Sequence, residues 1–180
     1  MTKIEVTSKL KDAVANYENF CLKMGELDYF ASNGDKWSVS ENTRHLMLAI
    51  SPIILAFSLP KFLLRLFFGK PNRNSRSFDE LLAKYIGKLE SGGKASKPYV
   101  PNAQKVDVTK ETELKKFIIL HNRLFNKIER WKDVDLDGYL LPHPLLGKIT
   151  LREMLYFTTF HLQHHLKTIE NLQKPKYVQA

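Results

Sequence analysis

The sequence predicts an all-α fold in which four long helices form one bundle domain over residues 1–180. Apolar residues recur at spacings of three and four in four long segments, as in helices with one buried face. Ser-x-x-Glu and Thr-x-x-Glu patterns mark the starts of two of these helices. The 180 residues suffice for one sizeable core, and 43% of them are hydrophobic, as in an ordinary globular protein.

The first predicted helix covers residues 7–31, and the turn Asn33-Gly34-Asp35 should end it. The single cysteine, Cys21, lies on its apolar face with no basic cluster nearby in sequence. We therefore expect an inert core thiol rather than a nucleophile. The apolar face consists of Leu10, Ala13, Val14, Tyr17, Phe20, Cys21, Met24 and Leu27.

The second helix should begin near Val39, because a capping box starts at Ser38. The chain stays apolar from residue 46 to 68, but polar residues and prolines interrupt this stretch. The uninterrupted part is shorter than the roughly 20 residues of a membrane span, so we expect none. The helix should end or kink near Pro60. The amphipathic segment 61–68 could line a pocket, a dimer surface or a bilayer face, and we expect it to pack into the protein interior.

A short helix over residues 78–89 should precede a loop over residues 91–108, where glycines and prolines break regular structure. A connection of this length permits a crossover, so the second and third helices can run parallel rather than as a hairpin. The third helix is predicted over residues 110–132. Its inner face carries Leu114, Phe117, Ile118, His121, Leu124, Phe125 and Ile128.

The fourth helix should begin after Thr150, which forms a second capping box with Glu153. It should run to about Leu172, and Pro175 should prevent any continuation. The preceding loop contains His143 between two prolines, and we expect this histidine to order the loop rather than to bind metal.

The best indication of chemistry is the run His161-Leu-Gln-His164-His165 in the fourth helix, together with His45 in the second. With about 100° per residue, His165 points into the core, His161 lies beside it and His164 lies at the boundary. Residues four apart share one helix face, so His161 and His165 can hold one divalent ion together. An imidazole from a neighbouring helix would complete the site.

A histidine on an apolar helix face need not bind metal, because it can also be a core residue whose polar ring makes one hydrogen bond. This interpretation stays open for His121. Two inward histidines four residues apart are harder to explain in this way. Burying several imidazoles costs free energy unless each nitrogen finds a partner, and a shared cation partners several of them at once.

The net charge of +9, from 28 basic and 19 acidic residues, raises the question of nucleic-acid binding. The basic residues are dispersed along the chain, and no zinc finger, RNP-like strand or helix-turn-helix pattern is present. We therefore expect a solvated basic face and no specific nucleic-acid binding. One cysteine and an amino terminus without a signal-peptide layout favour a cytoplasmic location.

Three motifs together resemble those of the DinB-like (DinB/YfiT-like) superfamily of metalloenzymes. The resemblance implies an up-down-down-up bundle, frequent homodimers and a three-histidine site for zinc, nickel or a similar divalent ion. His45 matches the ligand on the second helix, and His161 and His165 match the H-x-x-x-H pair on the fourth. The motifs are Trp37-Ser38-Val39-Ser40-Glu41-Asn42 leading to His45-Leu46, then His143-Pro144-Leu145-Leu146-Gly147-Lys148-Ile149-Thr150, then His161-Leu162-Gln163-His164-His165.

The resemblance does not settle the reaction, because relatives include both transferases and isomerases that use low-molecular-weight thiols. We expect a metal-dependent enzyme that acts on a small molecule, either a transferase or isomerase with such a thiol cosubstrate or a hydrolase. A three-histidine site leaves a position where a water or thiol loses its proton more easily. Candidate catalytic residues are His121, as a general base or supporting group, and Glu41, which orients His45 or carries a proton if its capping role does not fully explain it.

The alternative is a non-catalytic dimeric bundle with a structural or incidental metal. A pocket that opens onto the metal would favour the enzyme. A closed site with four protein ligands, completed by His121, would favour the structural role.

Overall fold

The computed structural model describes residues 1–32, 34, 36–102 and 108–173. Over these ranges the chain is mostly helical, as predicted, with seven α-helices and one two-stranded sheet. Short 3₁₀ turns lie at Lys97–Tyr99 and Asp133–Asp137. In chain order the elements are α1 (Lys3–Leu22), α2 (Glu26–Phe30), α3 (Val39–Ser58), α4 (Lys61–Phe68), α5 (Phe78–Glu90), α6 (Lys110–Glu129), β1 (Leu140–His143), β2 (Gly147–Thr150) and α7 (Leu151–Gln173).

The core lies between the four longest helices: α1 packs against α6 and α7, and α3 packs against the same two helices. Tyr17 of α1 and Phe117 of α6 are fully buried, with ring centroids 5.2 Å apart. Ile50 of α3 and Leu155 of α7 are also buried. Each such side chain contributes about 1.5–3 kcal/mol relative to an exposed one, so the burial of these faces holds the four helices together.

Both predicted capping boxes are present. The Ser38 amide donates to Glu41 Oε2 at 2.7 Å, and the Glu41 amide donates to Ser38 Oγ at 3.1 Å. The same exchange joins Thr150 and Glu153 at 2.9 and 3.2 Å. Each box satisfies amides that the first helical turn leaves without partners, and so determines where α3 and α7 begin.

The predicted continuous helix over residues 7–31 is wrong, because α1 ends at Leu22 and α2 begins after Gly25. Glycine is a poor helix former, and Gly25 has the extended ψ of 152° at the start of α2. Tyr29 of α2 is buried and donates to Glu113 Oε2 at 2.9 Å, a contact that the break permits. Asn33 and Asp35 of the expected terminating turn lie outside the described residues, whereas Gly34 has a φ of +65°.

The segment before α7 contains a β-hairpin that the sequence reasoning treated as a loop. Strands β1 and β2 pair antiparallel, with Leu140 opposite Thr150 and His143 opposite Gly147. His143 Nδ1 accepts from the amides of Leu145 and Leu146, each at 3.1 Å. The prediction that His143 orders this part of the chain is therefore confirmed.

The predicted break near Pro60 is confirmed, since α3 and α4 meet there at a bend of 116°. The predicted burial of the segment 61–68 is wrong. Only Leu64 of α4 is buried, because a helix of eight residues rests on β1 with one face. Three of its large apolar side chains are 62–73% exposed: Phe62, Leu66 and Phe67.

No single helix in the described ranges is long and apolar enough to cross a membrane. Only α3 and α4 taken together, across the bend between them, have the required length and apolar composition.

The predicted helices over residues 78–89 and 110–132 correspond to α5 and α6, and α7 is described as far as Gln173. The expected stop at Pro175 lies outside the described residues.

Candidate metal centre

Three histidines from two helices meet in the interior. His45 lies two turns after the start of α3, and His161 and His165 lie one turn apart on α7. The i and i+4 positions of α7 project from one face, and that face meets α3. All three residues are buried, with 5–8% of their surface exposed. We refer to His45, His161 and His165 as the histidine triad.

The ring nitrogens of the triad converge. The Nε2 atom of His161 lies 3.0 Å from Nε2 of His45 and 3.0 Å from Nε2 of His165. Each of the three residues offers one ring nitrogen, and these atoms all lie within 4.8 Å of one another. Nitrogens at these separations are close enough to share one ion, since each zinc–nitrogen bond is about 2.0–2.1 Å long.

Two of the triad histidines are also held by hydrogen bonds at Nδ1, their second ring nitrogen. His45 Nδ1 donates to the carbonyl of Tyr99 at 2.7 Å, and His165 Nδ1 donates to Asn42 Oδ1 at 2.6 Å. The amide of Asn42 is oriented in turn, because its Nδ2 donates to the carbonyl of Ser38 at 2.8 Å. A carbonyl oxygen has no proton to give, so Nδ1 carries the proton in both rings and Nε2 presents a lone pair.

This protonation pattern leaves His161 facing two lone pairs. If its Nε2 carries a proton, that proton serves only one of the two neighbours, and the lone pair of the other neighbour is left without a partner. If its Nε2 carries none, three lone pairs converge on one point. A cation at that point accepts all of them, so the donor set fits a divalent ion.

Burial also keeps the triad uncharged. Removal from water lowers the pKa of His45, and it lowers the pKa of His161 and His165 well below the usual value for histidine. The neighbouring imidazoles lower the pKa of His161 further. Neutral imidazole is the form that ligates metals, so the triad is ready to bind an ion without first releasing protons.

The triad lies in the wall of a large pocket with a cavity volume of about 720 Å³. Trp37 and Phe157 also line this pocket and pack on the triad, with Trp37 4.9 Å from the ring of His45 and Phe157 stacked at 4.8 Å on His161. An ion held by the triad would therefore be reached from an apolar cavity of the size that binds small molecules.

Comparison with known families is consistent with the motifs and the site. The model of the DinB superfamily matches residues 8–169, which include the whole triad. The chain belongs to the DinB superfamily. A search of curated proteins gives no significant match.

His121 of this DinB-superfamily protein lies apart from the triad. It is 1% exposed, and its Nδ1 donates to the carbonyl of Phe117 in its own helix at 2.8 Å. It borders a small cavity that His161 also lines, but it does not line the large pocket. Burial lowers the pKa of His121 to about 4. These contacts resemble the satisfied core histidine that the sequence left open as an alternative.

Glu41 and His164 also lie outside the triad. The Glu41 carboxylate accepts from the Ser38 amide within the cap of α3 and does not line the large pocket. His164 is half-buried at the edge of α7 and does line the pocket, with its ring centroid 5.5 Å from that of His165. His164 thus lies at the boundary, as predicted, and His143 lines the same pocket.

Sequence reasoning missed two groups that hold the triad, Asn42 and the carbonyl of Tyr99. Asn42 lies one turn before His45 and is a polar residue within a buried helix face, which was the available signal. The Tyr99 carbonyl left no signal, because every residue has one and the contact joins positions 54 residues apart.

Proposed function

We propose that this DinB-superfamily protein is a divalent-metal-dependent enzyme that acts on a small molecule. His45, His161 and His165 hold the ion, and the adjoining pocket holds the substrate. The observation that carries the proposal is the convergence of three neutral Nε2 atoms in the wall of a cavity of about 720 Å³. Zinc and nickel are the proposed metals, since both accept imidazole ligands.

The chain's own residues would orient the ligands and exclude water. Asn42 and the Tyr99 carbonyl determine which nitrogen of His165 and His45 faces the ion. Trp37 and Phe157 cover two of the rings with apolar surface. When bound, a divalent ion with three protein ligands lowers the pKa of a water or thiol at its open position.

We propose transfer to a low-molecular-weight thiol, or a hydrolysis, as the reaction class. In the transfer, the thiol gives its proton to solvent, its sulfur bonds to an electrophilic carbon of the substrate, and the leaving group departs with its electron pair. The family resemblance supports the thiol. Neither His121 nor Glu41 lines the pocket, so we assign neither of them a contact with the reacting atoms.

The alternative is a non-catalytic bundle with a structural ion. Structural zinc sites are usually closed by four protein ligands. Within the described part of the chain, the only group of histidine, cysteine or acidic side chains close enough to share an ion is the triad. A three-ligand site beside a large pocket supports the enzyme over the structural role.

Elemental analysis of protein purified without an affinity tag tests the metal site. We expect about one divalent ion per chain after incubation with zinc or nickel, and a loss of at least tenfold in affinity for His45→Ala and His161→Ala. His164→Ala is the matched control, because it removes a histidine from the same helix outside the triad. Equal and negligible metal in the wild type and both triad variants would overturn the proposal.

Activity is tested separately by incubating the metal-loaded protein with several cellular thiols and electrophilic small molecules. Transfer should depend on added metal and disappear in His161→Ala. Activity that His161→Ala retains in full would overturn the assignment of the triad to catalysis.

We also propose that α1, α3, α6 and α7 form an up-down-down-up bundle and that two copies of the chain associate. The packing of α3 on α6 and of α1 on α7 supports the bundle, and the family resemblance supports the dimer. Light scattering of the purified protein tests the dimer: a mass twice that of one chain is expected, and the mass of a single chain would contradict it.

A further inference from the structure

The pocket beside the triad has a shape and a chemical character that indicate the class of its ligand. The inference deepens the proposed function. It takes from that proposal one assumption, that the end of the ligand near the triad is the end that reacts. The pocket extends along α3: His45, Ala49, Pro52, Ile53 and Ala56 line it from one face of that helix. Ala56 lies 11 positions after His45, which corresponds to about 16 Å at 1.5 Å per residue.

Most of the residues that line the pocket outside the triad are apolar. They include Ile53, Ala56, Leu89, Leu141 and Met154, which come from four different elements. A polar group buried against such walls without a partner costs about 1–3 kcal/mol. A sugar, a nucleotide or a peptide carries many such groups and is therefore disfavoured in this part of the pocket.

The charges at the pocket are few and of one sign. Among the described residues that line it, Lys94 is the only lysine or arginine, and there is no aspartate or glutamate. Lys94 is exposed and so lies at the edge of the pocket. A ligand with a cationic group would meet no opposing charge, whereas one acidic group could pair with Lys94.

The edge of the pocket also presents apolar surface to the outside. Leu55 is 62% exposed and Val100 is 42% exposed, and both contribute to the pocket lining. An apolar molecule would therefore make favourable contacts while it enters as well as after it is bound.

We infer that the pocket takes an elongated, largely apolar small molecule, with an alkyl or aryl-alkyl body, no cationic group and at most one acidic group. Its body lies along α3 from Ala49 to Ala56, and its reactive end lies at the triad. The enclosed part of the pocket thus selects an apolar substrate, even though the chain as a whole is strongly basic.

Binding of straight-chain alkyl carboxylates with 6 to 12 carbons, below their micellar concentrations, tests this inference by calorimetry. The protein is used both as purified and after loading with zinc. We expect affinity to rise about fourfold for each added methylene in both samples, because each buried methylene contributes a similar free energy. Alkylammonium ions of the same length should bind at least tenfold more weakly.

Two variants test where in the pocket the alkyl chain binds. Ala56→Trp should fill the far end of the pocket and weaken the 12-carbon ligand at least tenfold, with little change for the 6-carbon ligand or for zinc. Ala15→Trp, on the exposed side of α1, is the matched control and should leave all affinities unchanged. If Ala56→Trp does not fold, Leu59→Trp at the same end should give the same pattern.

Affinity that does not depend on chain length, or alkylammonium ions that bind as tightly as the carboxylates, would overturn the inference. Equal weakening of every chain length by Ala56→Trp would also overturn it. These outcomes are distinct from failure of the proposed function, which would appear as a wild-type protein that binds no divalent ion while the chain-length dependence persists.

Discussion

Replacing Asn42 by alanine tests whether the groups behind the triad determine its affinity for metal. Asn42 Oδ1 lies 2.6 Å from His165 Nδ1, and the residue is 2% exposed. Alanine leaves the His165 N–H buried without an acceptor, so the ring is no longer held with Nε2 toward His161. Removing such an outer partner typically lowers metal affinity 10–100-fold, and we expect the zinc dissociation constant to rise by about that factor.

The same replacement also removes the hydrogen bonds that Asn42 Nδ2 donates to the carbonyls of Trp37 and Ser38. The free energy of unfolding should therefore fall by about 1–3 kcal/mol. Asn42→Asp separates the two effects, because a carboxylate still accepts from His165 Nδ1 but donates nothing to those carbonyls. We expect Asn42→Asp to lose stability and to keep zinc affinity within a few-fold of the wild type.

Competition with a chromogenic chelator measures the zinc dissociation constant, and urea unfolding measures stability. Thr43→Val is the control, since it removes a buried hydroxyl from the next position of α3, where Thr43 contacts Tyr17 at 3.1 Å instead of the triad. It should lose stability without losing zinc affinity. If Asn42→Ala binds zinc within twofold of the wild type, or if Thr43→Val weakens zinc as much, the assigned role of Asn42 is incorrect.

Three further predictions concern the rest of the chain. Burial lowers the pKa of His121 and of His143 from the ordinary value of 6.5 to about 4. Between pH 6.5 and pH 4 the unfolded chain therefore binds more protons than the folded chain, and the free energy of unfolding should fall as the pH drops through this range. Urea unfolding at pH 7 and pH 5 should show a smaller fall for His121→Leu, and an equal fall would contradict this. Cys21 is fully buried and burial raises its pKa to about 12, so iodoacetamide should label it only in the unfolded protein; rapid labelling of the native protein would refute this. Gly147→Ala should cost about 1–2 kcal/mol in urea unfolding, because Gly147 has a φ of +72°; an unchanged midpoint would argue against strain there.

The features that could be predicted from sequence are those that depend on residues close together in the chain. The capping boxes at Ser38 and Thr150 each involve two residues three positions apart, and both predicted helix starts agree with the structure. The inward direction of His161 and His165 follows from helical geometry alone. The assignment of the triad as metal ligands stays a prediction that the convergence of its nitrogens supports.

The features that were missed depend on contacts between distant segments. The break at Gly25 accompanies the contact of Tyr29 with Glu113, which lies 84 residues away. The bend near Pro60 was predicted, but the exposure of α4 follows from its position on the β-hairpin, which it contacts with one face, and the sequence analysis did not predict that hairpin. The Tyr99 carbonyl reaches His45 only because the long loop returns to α3.

The central claim is that His45, His161 and His165 hold one divalent ion through their Nε2 atoms. A crystal structure of the zinc-loaded protein, with anomalous data collected at the zinc absorption edge, tests it most directly. We expect one strong anomalous peak about 2.0–2.1 Å from each of the three Nε2 atoms, with Asn42 and Tyr99 still bonded to the opposite ring nitrogens. A peak located elsewhere, or no peak between these rings in protein that contains zinc, would contradict the account.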